Sequence, residues 1–241
     1  MTAGRFVSTR MEGGVATVVW SRPERRNAIG REVCAEFTRA LEELSASDCR
    51  VVVLRAGSAP FCAGWDVGDF EGGAAPTAES AAEFFKPGRA LLATLGVLPQ
   101  VTMAVVEGKA LGFGISLLAR CDLVVAAESA EFGLPEIRRG MPPATVLPEL
   151  LSVMNARAAL AYAVTGSNVA AANARADGLV THVVDDASLE RFTSELSVRM
   201  AGYGAALRET KQLVRRLALT PEADRVKVGV QSAINRMLGH A

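Results

Sequence analysis

The stretch Val101-Thr-Met-Ala-Val-Val-Glu-Gly-Lys-Ala-Leu-Gly-Phe-Gly-Ile-Ser-Leu-Leu-Ala-Arg120 decides how the chain is built. Val101 to Val106 is a strand of the buried kind, apolar along almost its whole length. Gly108 to Gly114 is glycine-punctuated, and an apolar helix follows through Arg120. Strand, glycine turn and helix make an α/β unit. The glycines do not spell G-x-G-x-x-G, and Gly108-Lys109-Ala110 lacks the spacing and the Ser/Thr of a phosphate loop. What remains is a helix N-terminus whose first amides point out unsatisfied, able to hold a developing oxyanion. A tight turn with close packing explains the same glycines. The segment alone leaves both readings open.

Outward from this stretch the same alternation continues. Upstream, Phe6 to Thr9 and Val15 to Trp20 are predicted strands around Glu12-Gly13-Gly14, a hairpin signal. Arg31 to Ala46 carries Val33, Phe37, Ala40, Leu41 and Leu44 at helical spacing. Val51 to Leu54 is a further buried strand, Gly72 to Thr77 a loop, and Ala78 to Leu98 a helix interrupted by Pro87-Gly88. Downstream, Leu123 to Ala126 and Leu179 to Val184 are predicted strands in an otherwise helical pattern from Thr145. Ser188 to Gly202, Ala205 to Leu217 and Glu222 to Leu238 are three helices with no strand between them. The change to pure helix places a domain boundary near Asp185-Asp186, giving a core at 1–186 and a helical region at 187–241. Leu207, Leu213, Val214 and Leu217 form an apolar stripe too large for such an appendage to bury alone, which predicts self-association.

The 241 residues are 50% hydrophobic and 22% charged, with 26 basic and 26 acidic side chains. A neutral chain with no basic block gives no electrostatic reason to expect nucleic acid or an anionic membrane surface as partner. Its longest apolar runs fall short of a membrane span, and the N-terminus has no apolar signal core, so a cytoplasmic protein is expected. Cys34, Cys49, Cys62 and Cys121 are scattered without a CxxC pair and read as free buried thiols. With only His182 and His240, and no G-x-S-x-G, neither a His-based metal site nor a Ser-His-Asp triad is expected.

Two further segments carry polar groups in chemically useful places. Phe61-Cys-Ala-Gly-Trp-Asp66 follows a buried strand, where parallel-sheet proteins bind ligands; Asp66 also fits an N-cap. Phe132-Gly-Leu-Pro-Glu136 sets one carboxylate among apolar residues. If buried, Glu136 has a raised pKa and suits proton transfer near neutral pH; it also fits a residue starting a helix beside the N-terminal dipole.

In order and spacing, Arg22-Pro-Glu-Arg-Arg-Asn-Ala28, Phe61-Cys-Ala-Gly-Trp-Asp66, Val105-Val-Glu-Gly-Lys-Ala-Leu-Gly-Phe-Gly114, Arg120-Cys-Asp122, Phe132-Gly-Leu-Pro-Glu136 and Ala176-Asp-Gly-Leu-Val180 resemble the enoyl-CoA hydratase/isomerase family, the crotonase superfamily. The resemblance covers nearly the whole chain. It implies an α/β spiral of ββα units with a C-terminal helical trimerisation region, assembled as a homo-trimer or hexamer. It implies a CoA thioester as substrate, with no other cofactor and no metal. Its oxyanion-hole amides fall on Trp65 and Phe113. CoA contacts fall on Arg25, Ala28, Ala63, Gly64, Asp66, Val67, Gly68 and Gly112. Of the two glutamates of the family's hydratases, one is present as Glu136, while Ser116 stands in place of the other. A single carboxylate can take a proton from one carbon and return it to another, so the departure points to double-bond isomerisation, with hydration as the neighbour. Other enolate chemistry such as decarboxylation, for which the resemblance places Lys86 in the helix that lines the family's acyl pocket, and a catalytically degraded CoA binder are the alternatives. A solvated Lys86 is the simpler expectation. The family's glycine-rich turn after Pro-Glu is replaced by Gly140-Met-Pro-Pro-Ala-Thr145.

Overall fold

The computed structural model describes residues 4–66, 68 and 77–238. Strands β1 (Val7–Glu12) and β2 (Val15–Trp20) form an antiparallel hairpin. Gly13 and Gly14, at φ +58° and +81°, make its two-residue turn, a conformation that glycine adopts without the cost other residues incur. From β2 the sheet is parallel: β3 (Val51–Ala56), β4 (Val101–Val106), β6 (Leu123–Ala127) and β9 (His182–Val184) add in that order. Every residue of β4 is buried, as a strand covered on both faces requires.

A second, smaller layer lies beside this sheet. β5 (Lys109–Leu111), β7 (Glu131–Gly133) and β8 (Val169–Ala170) form it, and two isolated bridges, Cys62 to Ala110 and Ile29 to Trp65, extend it. The chain therefore repeats one course. It leaves the large sheet, runs through the small layer and enters a helix or a helical turn. β2 leads through Ile29 to α1 (Arg31–Ser45), and β3 leads through Cys62–Trp65 toward α2 (Ala78–Val97). β4 leads through β5 to α3 (Phe113–Arg120), and β6 through β7 to the 3-10 turn Pro135–Arg139. This is a spiral of ββα units, as the resemblance implies.

The remaining helices are α4 (Leu147–Leu150), α5 (Ala156–Thr165), α6 (Ala171–Ala176), α7 (Leu189–Ala201), α8 (Ala205–Leu219) and α9 (Glu222–Met237). One core cluster runs from Val7 to Ala201, so Leu189, Leu196 and Met200 of α7 join the same interior as the sheet. All the α1 positions picked out by helical spacing are buried in it. Trp20 stands at its centre, edge-on to Phe61 at 4.8 Å and tilted against Phe37 at 5.4 Å. α8 is pinned to the sheet by the buried Lys211, whose Nζ donates to the carbonyl of Gln100 and to Asp122 Oδ2. The same Asp122 oxygen accepts from the N–H and hydroxyl of Thr102 at the start of β4.

Some expectations need adjusting. β1 runs to Glu12 rather than Thr9. The strand expected from Leu179 begins only at His182, because Leu179 and Val180 bond back to the carbonyl of Ala174 in α6. Pro87-Gly88 does not interrupt α2, which is helical throughout Ala78–Val97. β8 is only two residues long and escapes any periodicity test. The loop expected at 72–77 falls outside the described residues except for Thr77, whose hydroxyl caps α2 by accepting the N–H of Ser80.

The motif Arg22 to Ala28 is held by Asn27, fully buried at φ +55°. Its Nδ2 donates to the carbonyls of Ser58 and Pro60, and its Oδ1 accepts the N–H of Arg22. Asn27→Ala removes these three bonds together with the buried amide that makes them. The expected loss is about 2–4 kcal/mol of unfolding free energy, measured by urea titration.

Candidate active site

Three consecutive turns of the spiral hand over from the small layer at one place. Cys62 donates to the carbonyl of Lys109 at 3.0 Å and accepts the N–H of Leu111 at 2.9 Å. One turn further on, Gly112 donates to the carbonyl of Gly133 at 3.0 Å. These lateral bonds set Trp65, Phe113 and Glu136 side by side, although they are far apart in sequence.

Gly64 and Gly112 make the approach possible. Their φ values are +104° and +51°, and a Cβ on Gly112 would lie 3.6 Å from Gly64 Cα and 2.7 Å from Glu136 Oε1. A side chain at Gly112 would therefore collide with the carboxyl group. Around Trp65, Ile29 accepts from Asp66 and donates to the carbonyl of Gly64, both at 3.0 Å, which fixes the peptides on either side. The N–H of Trp65 and that of Phe113, the first residue of α3, have no acceptor among the described residues. Two amide donors are thus left uncommitted beside a carboxyl group. Their side chains form an aromatic cluster, Trp65 edge-on to Phe113 at 5.2 Å and tilted against Phe84 of α2 at 5.5 Å.

Glu136 sits in the 3-10 turn behind Pro135. Its Oε2 is buried with no hydrogen-bond partner among the described residues, and burial raises its pKa above the ordinary 4.5. Ser116 is fully buried one helical turn after Gly112 and Phe113; its hydroxyl, like the Trp65 indole N–H, has no partner among the described residues. Such groups are costly to leave unpaired and concentrate where a ligand or water binds.

The other expected positions divide in two. Gly64 and Gly112 lie against each other beside Glu136, the N–H groups of Ala28 and Ala63 donate to the carbonyls of Arg25 and Arg26, and Val67 lies outside the described residues. Asp66 is tied down rather than free: Oδ2 accepts from Arg22 at 2.9 Å and Oδ1 accepts the N–H of Gly68 at 3.0 Å. Arg25 is exposed at the end of its 3-10 turn, and Lys86 is exposed and paired with Glu83. The structure thus keeps Lys86 at the surface. Sequence reasoning missed Arg22, which joins the start of the motif to Asp66, and Gly88, buried against the rings of Trp65 and Phe113. Among the described residues no group of His, Cys, Asp and Glu could hold a metal ion, and no helix is long and apolar enough to cross a membrane.

The family model for enoyl-CoA hydratase/isomerase matches residues 10–233. The chain belongs to this family, the crotonase superfamily. It is 31% identical over 202 residues to the 1,2-epoxyphenylacetyl-CoA isomerase of Escherichia coli K12, covering 81% of this chain and 76% of that one. It is 36% identical over 180 residues to the enoyl-CoA hydratase domain-containing protein 2 of Bos taurus, covering 71% of this chain but only 58% of the relative. An enoyl-CoA hydratase from Mycobacterium smegmatis superposes with a TM-score of 0.89 at 29% identity, covering 97% of this chain and 91% of that one. A Thermobifida fusca enoyl-CoA hydratase homologue solved in complex with CoA gives 0.85 at 26% identity, covering 97% and 93%. The crotonase-type chain is a hydratase/isomerase-type enzyme.

The raised pKa of Glu136 has a consequence for stability. A carboxyl group harder to ionise when folded binds more protons in the native state between its unfolded and folded pKa values, so it costs stability above that window and nothing below it. Replacing it by neutral Gln removes the cost. Glu136→Gln is therefore expected to melt at a higher temperature than the parent at pH 7, the difference shrinking as pH falls toward about 4.5 and absent below it. Thermal melts across that range check it.

Proposed function

We propose that this enzyme acts on an acyl-CoA thioester, with Glu136 as its single general acid/base and the amides of Trp65 and Phe113 as its oxyanion hole. One observation carries the proposal: a buried carboxyl oxygen lies beside two amide donors, and none of the three has a partner among the described residues. Removing a proton next to a thioester carbonyl puts negative charge on its oxygen, where fixed donors in a water-poor site have most effect. The carboxyl group, its pKa raised by burial, is matched to accepting that proton and returning it. The CoA portion is assigned to the edge from Ala63 to Gly68, with Ala28 and the exposed Arg25 nearby. A cavity of about 380 Å³ lined by Phe6, Arg22, Arg31 and Asp66 opens beside that edge.

The reaction we favour is a shift of the double bond between the beta-gamma and alpha-beta positions of the acyl chain, with a proton passed between the alpha and gamma carbons. Glu136 takes the proton from one carbon, the oxyanion hole holds the dienolate, and Glu136 delivers a proton to the other. The observation behind this choice is Ser116, which offers a hydroxyl and no second carboxylate at its helix position. The hydratase names among the solved structures support hydration as the second reading.

We further propose that residues 187–241 are the assembling region of a homo-trimer or hexamer. Val226, Val230 and Ile234 align along α9 and are 77%, 53% and 42% exposed, an apolar stripe left in water by the isolated chain. Light scattering is expected to give three or six chains per particle; a monomer at working concentration contradicts it.

Activity separates the roles. With 3-enoyl-CoA as substrate, Glu136→Gln is expected to lose turnover by about 10²–10⁴-fold, while Ser116→Ala stays within a few-fold. Mass analysis of products from 2-enoyl- and 3-enoyl-CoA decides the reaction. Efficient hydration of the 2-enoyl compound with the 3-enoyl compound untouched rules out isomerisation as the main activity.

A further inference from the structure

Trp65 and Phe113 both rest their rings on one glycine of α2. A Cβ on Gly88 would lie 2.7 Å from Trp65 Cζ3, 3.2 Å from Trp65 Cη2 and 3.1 Å from Phe113 Cε2. Gly88 is buried, one turn after Phe84, whose ring packs against the same indole. Leu91 and Leu95, fully buried, continue this face of α2 into the core. Gly88 is not at a positive φ, so its backbone conformation does not demand glycine. Only the space does.

We propose that Gly88 is a positioning residue for the oxyanion hole: α2 seats both rings through it, and the seat fixes the two amide donors. This rests on the function proposed above. The indole has little freedom to absorb an added methyl group. Its ring is hemmed in by Phe84 and Phe113, and the peptides flanking Trp65 are bonded to Ile29. A methyl group at position 88 must therefore shift the Trp65 or Phe113 backbone or lift α2. Donors act on a developing charge only at close and aligned range, and losing one costs about 10²–10³-fold in rate. Partial misplacement of both is expected to cost about 10- to 100-fold, with little effect on CoA affinity.

The test compares Gly88→Ala with Gly96→Ala, two turns further along α2, where a Cβ meets only the end of the flexible Arg120 side chain. Two readouts avoid turnover. One is the near-ultraviolet enolate band of bound acetoacetyl-CoA, which reports charge stabilisation on the thioester side directly. The other is tryptophan emission, in which Trp65 is the ring affected and Trp20, packed against Phe37 and Phe61, is the constant background. Gly88→Ala is expected to weaken the enolate band and lower kcat by about 10-fold or more. Its Kd for CoA should stay within about 3-fold and its Trp65 emission should shift. Gly96→Ala should change none of these. Trp65→Phe, which keeps the amide but removes the benzo atoms that Gly88 faces, should restore band and kcat in the double variant. The proposal is overturned if Gly88→Ala keeps band and kcat within 2-fold, if Trp65→Phe rescues nothing, or if Gly96→Ala loses as much. Should the parent protein itself give no enolate band, the function proposed above fails. The ring seat is then judged on emission alone, and an unshifted Gly88→Ala spectrum overturns it.

Discussion

The lateral hydrogen bonds of the small layer are the constraint from which the rest of the site follows. Cys62 bonds to Lys109 and Leu111, and Gly112 bonds to Gly133, so three turns of the spiral are held in one register. Each turn then leaves the layer at the same level. The exits deliver the amide of Trp65, the amide of Phe113 and the carboxyl of Glu136. A one-residue slip at any of these bonds would point a different group into the site. The large sheet and its core, with Trp20 against Phe37 and Phe61, supply the rigidity that keeps the register.

Burial and close approach act together on the chemistry. Gly112 lacks a Cβ, so Glu136 can lie against the start of α3, and its burial there raises the pKa of the carboxyl. The same burial leaves Glu136 Oε2, Ser116 Oγ and Trp65 Nε1 without partners among the described residues. A buried polar group costs stability unless a ligand or water meets it, which is the usual trade between stability and activity. Asp66 and Arg22 show the opposite case. Arg22 bonds to Asp66, and Asp66 accepts the N–H of Gly68, so this pair holds the loop in place.

Much of the fold was legible because its elements are long or strongly patterned. The apolar runs at 51–54 and 101–106 and the helical spacing at 31–46 each have a single good solution. Glu136, Trp65 and Phe113 could be named because their motifs recur in order through a known family. What could not be read is what depends on contacts across the spiral. β8 is too short to have a period. Pro87-Gly88 looks like a helix break by local preference, yet the helix runs on, because its face is buried against Trp65 and Phe113. Lys211 lies on an exposed-looking amphipathic helix and is nevertheless buried, its charge met by Asp122 nearly ninety positions earlier. No local window contains both partners.

The measurement that bears most directly on the central claim is a crystal structure of the protein with a non-reactive 2-enoyl-CoA analogue bound. The thioester oxygen should lie about 2.7–3.1 Å from both the Trp65 and the Phe113 nitrogen, with the Glu136 carboxyl facing the alpha and gamma carbons. A thioester oxygen bound away from these two amides, or an acyl group out of reach of Glu136, would contradict it.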